Sequence, residues 1–259
     1  MSRGIDALDA LYQQYENCDK CVALCQSRSQ VVMGSGNARA DIMVVGGPPG
    51  DEEDAQGVPF VGRAGRLLMN LMAYSDHHTR VWPQDDRLDD ILFDDGLKQN
   101  DERFFDVLRD YFDDHVFWCD IICCHPVKNR EPTTPELKAC RDRLERTIYA
   151  VDPMLIIGSG KLAVSQLLGR PVAITEKRGT LYDAEFRSPV TKDLIRYPLL
   201  AILDPAHLLR EGSLNLVEKQ KGSTWATIQD LAWGVELVRR NYEDTLHSDF
   251  PHQPDHYKR

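Results

Sequence analysis

Three cysteines and a lone carboxylate, Asp120, crowd the end of the apolar run that opens the stretch FWCDIICCHPVKNREPTTPELKAC, residues 117 to 140, which ends on a fourth cysteine; another pair stands far upstream in CDKC, as Cys18 and Cys21. A C-x2-C spacing lets two thiolates on one turn reach a single metal. Cys124 and Cys140, with fifteen residues between them, can complete a two-plus-two thiolate site. Zinc and a four-iron cluster both suit such a donor set. Cys25, Cys119 and Cys123 read instead as buried small apolar residues. Asp120 follows an apolar run, where a carboxylate has no structural reason to be unless it binds something.

These groups depend on the elements that carry them. Short runs rich in β-branched residues recur as DIMVVGG (41 to 47), VFWCDII (116 to 122), PMLIIGSG (153 to 160) and PLLAILDP (198 to 205), with helical patterns between them. The alternation predicts parallel strands joined by crossover helices, with function gathered at the carboxyl ends of the strands. One helix is signalled at its start. In TTPELKACRDRLERTIYAVDP, Thr134 can cap, Pro135 suits the first helical position, and Leu137, Cys140, Leu144 and Ile148 share a face. Residues 74–114 break the rhythm and read as an acidic insertion, partly helical. The expected organisation is one domain over residues 1–246, followed by a loose tail at 247–259.

The chain has 259 residues, of which 42% are apolar, enough for one good core. No segment approaches the roughly 18 apolar residues of a membrane span, and the N-terminus lacks a basic region followed by an apolar run. A cytoplasmic protein without a membrane partner is expected. Its seven cysteines then point to metal ligands or thiols rather than disulfides. The net charge of −10 disfavours a phosphate partner, but residues 76–114 hold 13 acidic against 5 basic side chains. The remainder is nearly neutral, so a local basic groove is compatible with the composition.

Residues 18–68, CDKCVALCQSRSQVVMGSGNARADIMVVGGPPGDEEDAQGVPFVGRAGRLL, resemble the start of the iron–sulfur (family four) uracil-DNA glycosylases, in which C-x2-C precedes G-E-x-P-G and G-x-P-F-V-G-x-A-G-x-L-L. The likeness continues through CCHPVKNREPTTPELKAC (123 to 140), EKRGTLY (176 to 182) and LDPAHLLR (203 to 210). It implies a three-layer α/β fold with a central four-stranded parallel sheet, a DNA partner, and a [4Fe–4S] cluster on Cys18, Cys21, Cys124 and Cys140. It also implies a flipped base stacked on Phe60 and lined by Gly46, Gly47 and Pro48. Leu208 and Leu209 would supply an apolar wedge, and Arg210, with His207, would meet the DNA backbone.

Three positions depart from that pattern. Asp120 stands where the family has a base-reading Asn, Gly47 where it has the Glu of G-E-x-P-G, and Asp204 where it has the His of H-P. An ionised carboxylate only accepts hydrogen bonds. Uracil's 4-carbonyl would face it without a donor, whereas cytosine's 4-amino group would suit it. The expectation is therefore a glycosylase for a modified cytosine, such as the hydroxymethylated or glucosylated cytosine of phage DNA, in an antiviral role. Gly47 leaves room for the substituent, and Asp204 becomes the leading catalytic candidate through stabilisation of a cationic sugar or orientation of water. Asp51, Glu53 and Asp54 read as a solvated turn and helix start, and His125 receives no chemistry.

The alternatives are a conventional uracil-DNA glycosylase and an inactive scaffold that binds DNA or a protein, with the acidic insertion docking a partner. Retention of Phe60, PVKNR and LLR favours an enzyme over a scaffold. A zinc deaminase lacks its H-x-E and P-C-x2-C motifs here. The protein is expected to act as a monomer.

Overall fold

A computed structural model describes residues 4–79, 102–211 and 222–243. Six strands form one sheet: β1 (Ser35–Gly36), β2 (Ile42–Gly46), β3 (Val116–Asp120), β4 (Leu155–Ser159), β5 (Leu181–Arg187) and β6 (Leu194–Ile202), in the order β1-β3-β2-β4-β6-β5. The four predicted apolar runs are the central parallel strands β3, β2, β4 and β6. The sheet is nonetheless mixed rather than four-stranded and parallel, because β1 pairs antiparallel with β3 and β5 antiparallel with β6. Both additions are edge strands. One is only two residues long and the other alternates exposed and buried positions, so neither carries the continuous apolar run by which a central strand is recognised.

Ten α-helices flank the sheet in the described residues: α1 (Ile5–Tyr15), α2 (Val22–Ser27), α3 (Asp51–Gln56), α4 (Arg63–Thr79), α5 (Glu102–His115), α6 (Thr134–Val151), α7 (Gly160–Leu168), α8 (Ile174–Lys177), α9 (Pro205–Glu211) and α10 (Gly222–Glu243). Strand periodicity sorts the core into two layers. Ile42, Val44, Val116, Trp118, Ile157 and Leu200 face α4, α5 and α10, whereas Met43, Val45, Phe117, Cys119, Ile156 and Leu199 face α1, α6 and α7. A sheet buried on both faces explains why its strands read as unbroken apolar runs.

Helix α6 begins one residue earlier than the sequence suggests. Thr133 is the N-cap, and the Glu136 carboxylate returns to accept from the Thr133 N–H at 2.7 Å, closing a capping box with Pro in the first turn. Arg130 donates twice to the same carboxylate, at 2.8 and 2.6 Å, and holds Glu136 down at about 2. The cap and the PVKNR turn are thus one unit.

The described ends of the expected acidic insertion belong to the core. Tyr111, Phe112 and Leu108 on α5 are wholly buried against Trp118 and α4. Residues 80–101, the middle of that segment, and the tail at 247–259 lie outside the described residues. Truncation of Phe112 to Ala should cost about 3–5 kcal/mol of unfolding free energy, the usual range for deleting a buried ring. Chemical denaturation checks this, because a solvated surface helix would lose well under 1 kcal/mol.

Candidate functional site

The parallel strands end on one side of the sheet, and a cavity of about 340 Å³ opens there. Gly46 ends β2, Asp120 ends β3, Ser159 ends β4 and Asp204 follows β6; all four line it, together with Gly47, Pro48 and Phe60. Chain reversal at each strand end projects polar groups into a space that the helices leave uncovered.

The centre of the site is the pairing of Gly46 with Asp120 across β2 and β3. A Cβ at Gly46 would lie 2.6 Å from Asp120 Oδ1 and 2.6 Å from Phe60 Cζ, so the missing side chain is what lets ring and carboxyl meet at one strand end. Phe60 itself adopts φ +59°, an unusual conformation for a bulky residue, and packs its ring 5.3 Å from Trp118. Two braces maintain that turn. Arg109 on α5 donates to Pro59 O at 2.8 Å and to Ser35 Oγ at 2.7 Å. Glu53 accepts from Gly62 N at 2.7 Å and from Gly50 N at 3.1 Å, linking the PFVG turn to the GGPPG turn.

Neither brace was anticipated from the sequence. Arg109 was hidden in the acidic segment, although its i,i+4 partner Asp113 marks a helix face. Glu53 and Asp54 are not a solvated turn. Asp54 is buried and accepts from Ser29 N at 3.0 and 2.8 Å, while Asp51 is exposed as expected. His125 also has a definite place: its Nδ1 lies 2.9 Å from Pro49 O and its Nε2 3.1 Å from Asp51 Oδ1. Buried beside Cys124, it ties the cysteine-bearing turn to the cavity wall.

Asp120 is 6% exposed, and its Oδ2 is buried without a hydrogen-bond partner among the described residues. Burial pushes its carboxyl well above the ordinary range, the charge of Glu53 adds to this, and Arg143 opposes it. Burial thus favours the neutral form of the side chain. The sequence-based premise takes the ionised form, which only accepts, whereas a protonated carboxyl both donates and accepts, as the amide of Asn does.

Asp204 is half-buried; its Oδ1 accepts from Ala206 N at 2.8 Å and starts α9. Burial raises its pKa, against the Ala206 N–H and the charges of Arg210 and His207. Gly160, at φ +86°, allows the approach, since a Cβ there would stand 2.8 Å from Asp204 Cβ. Beyond Asp204, the expected DNA-facing residues divide. Arg210 is exposed, His207 is half-buried 3.1 Å from Glu211, and Leu209 is half-buried against the core. Leu208 is wholly buried in the α4 layer and cannot act as a wedge, because the helix turns that position inward.

The cysteines gather behind the cavity. Cys21 caps α2 and Cys140 lies on α6, and Cys18 and Cys140 each act electrostatically on Cys21 and on Cys124. Arg28 donates to Cys124 Sγ at 3.0 Å and to Cys18 O at 2.6 Å. Burial pushes the Cys124 thiol up to about 11. The Cys123 thiol donates to Met33 Sδ at 3.6 Å, and no three metal-ligating side chains are grouped around one point among the described residues. The donor set is right in kind for a thiolate-bound metal centre, and two arginines adjoin it to offset negative charge.

A cavity at the carboxyl ends of the strands of a helix-flanked mixed sheet, lined by an aromatic ring and a buried carboxyl, stands where α/β folds place their ligand sites. The chain belongs to the uracil DNA glycosylase superfamily, whose family model matches residues 33–232, and it carries that superfamily's catalytic domain. It is 33% identical over 163 residues to a type-4 uracil-DNA glycosylase of Saccharolobus solfataricus, covering 63% of this chain and 60% of that protein's length. Similar enzymes match from Thermotoga maritima, at 31% identity over 69% of this chain and 75% of the relative, and from Archaeoglobus fulgidus, at 28% over 80% and 88%. No helix among the described residues is long and apolar enough to cross a membrane.

Replacing Asp120 by Asn tests the buried acid. A carboxyl whose folded pKa is raised stabilises the protein fully below its unfolded pKa and loses that contribution as pH rises through the folded value. Asp120→Asn should therefore unfold at a higher temperature than wild type under alkaline conditions, with the gap closing toward pH 4. A gap that does not change with pH would mean that the carboxyl is ionised throughout.

Proposed function

We propose that this protein hydrolyses the N-glycosidic bond of a pyrimidine flipped out of DNA, and that uracil is its substrate. The observation that carries the reading is the buried, unpartnered Oδ2 of Asp120 beside Phe60 at the end of β3. With a proton on one oxygen, Asp120 can accept from the ring N3–H and donate to O4, the two contacts uracil requires. The relatives are named as uracil-DNA glycosylases, which supports the same base.

Phe60 stacks on the base face. Asp204, anchored through Oδ1 by the Ala206 amide, turns its other oxygen toward developing positive charge on the sugar and orients the attacking water. The bond from C1′ to the base nitrogen breaks, water adds to C1′, and the free base and an abasic site leave. Arg210 meets the backbone beside the flipped nucleotide, Leu209 rather than Leu208 fills the space it vacates, and His207 adjoins them. Cys18, Cys21, Cys124 and Cys140 hold a [4Fe–4S] cluster that fastens α2 and α6 behind the pocket; its role is structural. The chain acts as a monomer.

A modified cytosine is the second reading, favoured by the open space at Gly47, where an added Cβ meets nothing within 4 Å. The acid proton of Asp120 can move to the oxygen facing N3, leaving the other to accept from the 4-amino group. Phage DNA carrying such bases would then be the partner, in a defensive role.

Release of free bases from DNAs containing uracil, cytosine or hydroxymethylated cytosine separates these readings. Uracil release should fall as pH rises and the Asp120 carboxyl ionises, given the neighbouring charges of Glu53 on α3 and Arg143 on α6 and the Asp204 carboxyl across the cavity. Asp120→Asn should release uracil without that alkaline fall. Release of only hydroxymethylated cytosine would favour the second reading, and no release from any DNA would mean an inactive scaffold. Phe60→Ala should slow release about 5- to 150-fold, the equivalent of the roughly 1–3 kcal/mol lost with one stacked base.

A further inference from the structure

The PVKNR turn, between the end of β3 and the start of α6, borders the cavity through Asn129. Lys128 and Asn129 adopt φ of +56° and +54°, the one pair of consecutive non-glycine residues with left-handed backbone among the described residues. Asparagine tolerates that conformation through its short polar side chain, and lysine has no such compensation. A turn of this kind persists only where its surroundings hold it. Here Asp51 serves both ends: one carboxylate oxygen lies 3.1 Å from His125 Nε2, and the other accepts from Asn129 Nδ2 at 3.2 Å. Arg130, the last residue of the turn, is fixed by its two hydrogen bonds to Glu136.

What the braced turn presents to solvent is an apolar group and a cation. Val127 is 53% exposed, and of the large apolar side chains exposed among the described residues it alone stands on a segment that lines the cavity. Lys128 is exposed beside it and forms no hydrogen bond or ion pair among the described residues. The cavity lining holds five acidic side chains, Asp51, Glu52, Glu53, Asp120 and Asp204, against one basic one, Arg63. An anionic strand approaching this mouth therefore needs cations at its flanks. The turn follows β3 and α9 follows β6, the two outer strands of the parallel four, which three inter-strand spacings hold roughly 14 Å apart. We infer that Val127 and Lys128 form a second DNA contact on the flank opposite α9: Lys128 meets a backbone phosphate, and Val127 covers a base face that flipping leaves unstacked. This rests on the base-excision reading proposed above. Flipping exposes a base face on either side of the vacated space, and an apolar side chain is suited to cover one. With Leu208 buried, α9 has only the half-buried Leu209 for that task.

The test measures binding of two fluorescein-labelled duplexes, one undamaged and one with a single abasic-site analogue, by wild type, Val127→Ser and Lys128→Gln across a range of salt concentrations. Lys128→Gln should bind both duplexes more weakly and lower the slope of log affinity against log salt by about 0.9, the share of one phosphate contact. Val127→Ser should bind the abasic duplex about five- to tenfold more weakly, with the undamaged duplex and the salt slope as in wild type. Both variants should unfold at the wild-type temperature, because both side chains are exposed, so that lost affinity reports a contact rather than the fold. An unchanged salt slope in Lys128→Gln, or wild-type affinity of Val127→Ser for the abasic duplex, would overturn the inference. So would weaker binding that comes with a lowered unfolding temperature, since the turn would then serve stability. Wild type that neither binds DNA nor releases base would refute the base-excision reading and this contact with it, whereas wild type that releases base while the variants bind as it does would refute only the contact.

Discussion

A carboxyl group buried at the end of a parallel strand makes the strongest demand in this structure. Desolvation favours its neutral form, and its neighbours must tolerate that form without supplying a full ion pair. Gly46 provides contact without bulk, Phe60 provides an apolar ring, and Arg143 takes only the backbone carbonyl of Asp120 while pointing its charge at sulfur. A carboxylate at this position in an open turn would be an ordinary surface acid. Here burial favours the neutral acid.

Around that point the molecule invests in rigidity. The strained Phe60 turn is held from one side by Arg109 and from the other by Glu53, and the GGPPG turn is held by Glu53 and His125. Each brace comes from a different element: α5, α3 and the cysteine-bearing turn after β3. Such cross-links suit a pocket that must accept a flat ring without rearranging. They also make the cavity depend on segments that carry no reactive group.

Much of the architecture was legible in the chain. The four central strands were visible because burial on both faces demands uninterrupted apolar runs, and the start of α6 was visible to within one residue because caps depend on local chemistry. The candidate residues were legible as ordered motifs, and the structure brings Gly46, Gly47, Pro48, Phe60, Asp120 and Asp204 to one cavity. The edge strands were not, since β1 is too short and β5 too polar to stand out. Helix α5 was obscured by its own carboxylates, which occupy one face while Leu108, Tyr111 and Phe112 fill the other.

Residue type and spacing determined the sulfur-rich composition of residues 117–140 and the parallel core, because these are properties of local order along the chain, and the resemblance to a family marked a carboxyl at position 120 where that family has an amide. Only the tertiary structure decided the burial of Asp120, the inward burial of Leu208, and the sulfur environment of Arg143. Desolvation and charge pairing depend on which distant residues exclude water from a group, and that is a property of packing rather than of sequence neighbours.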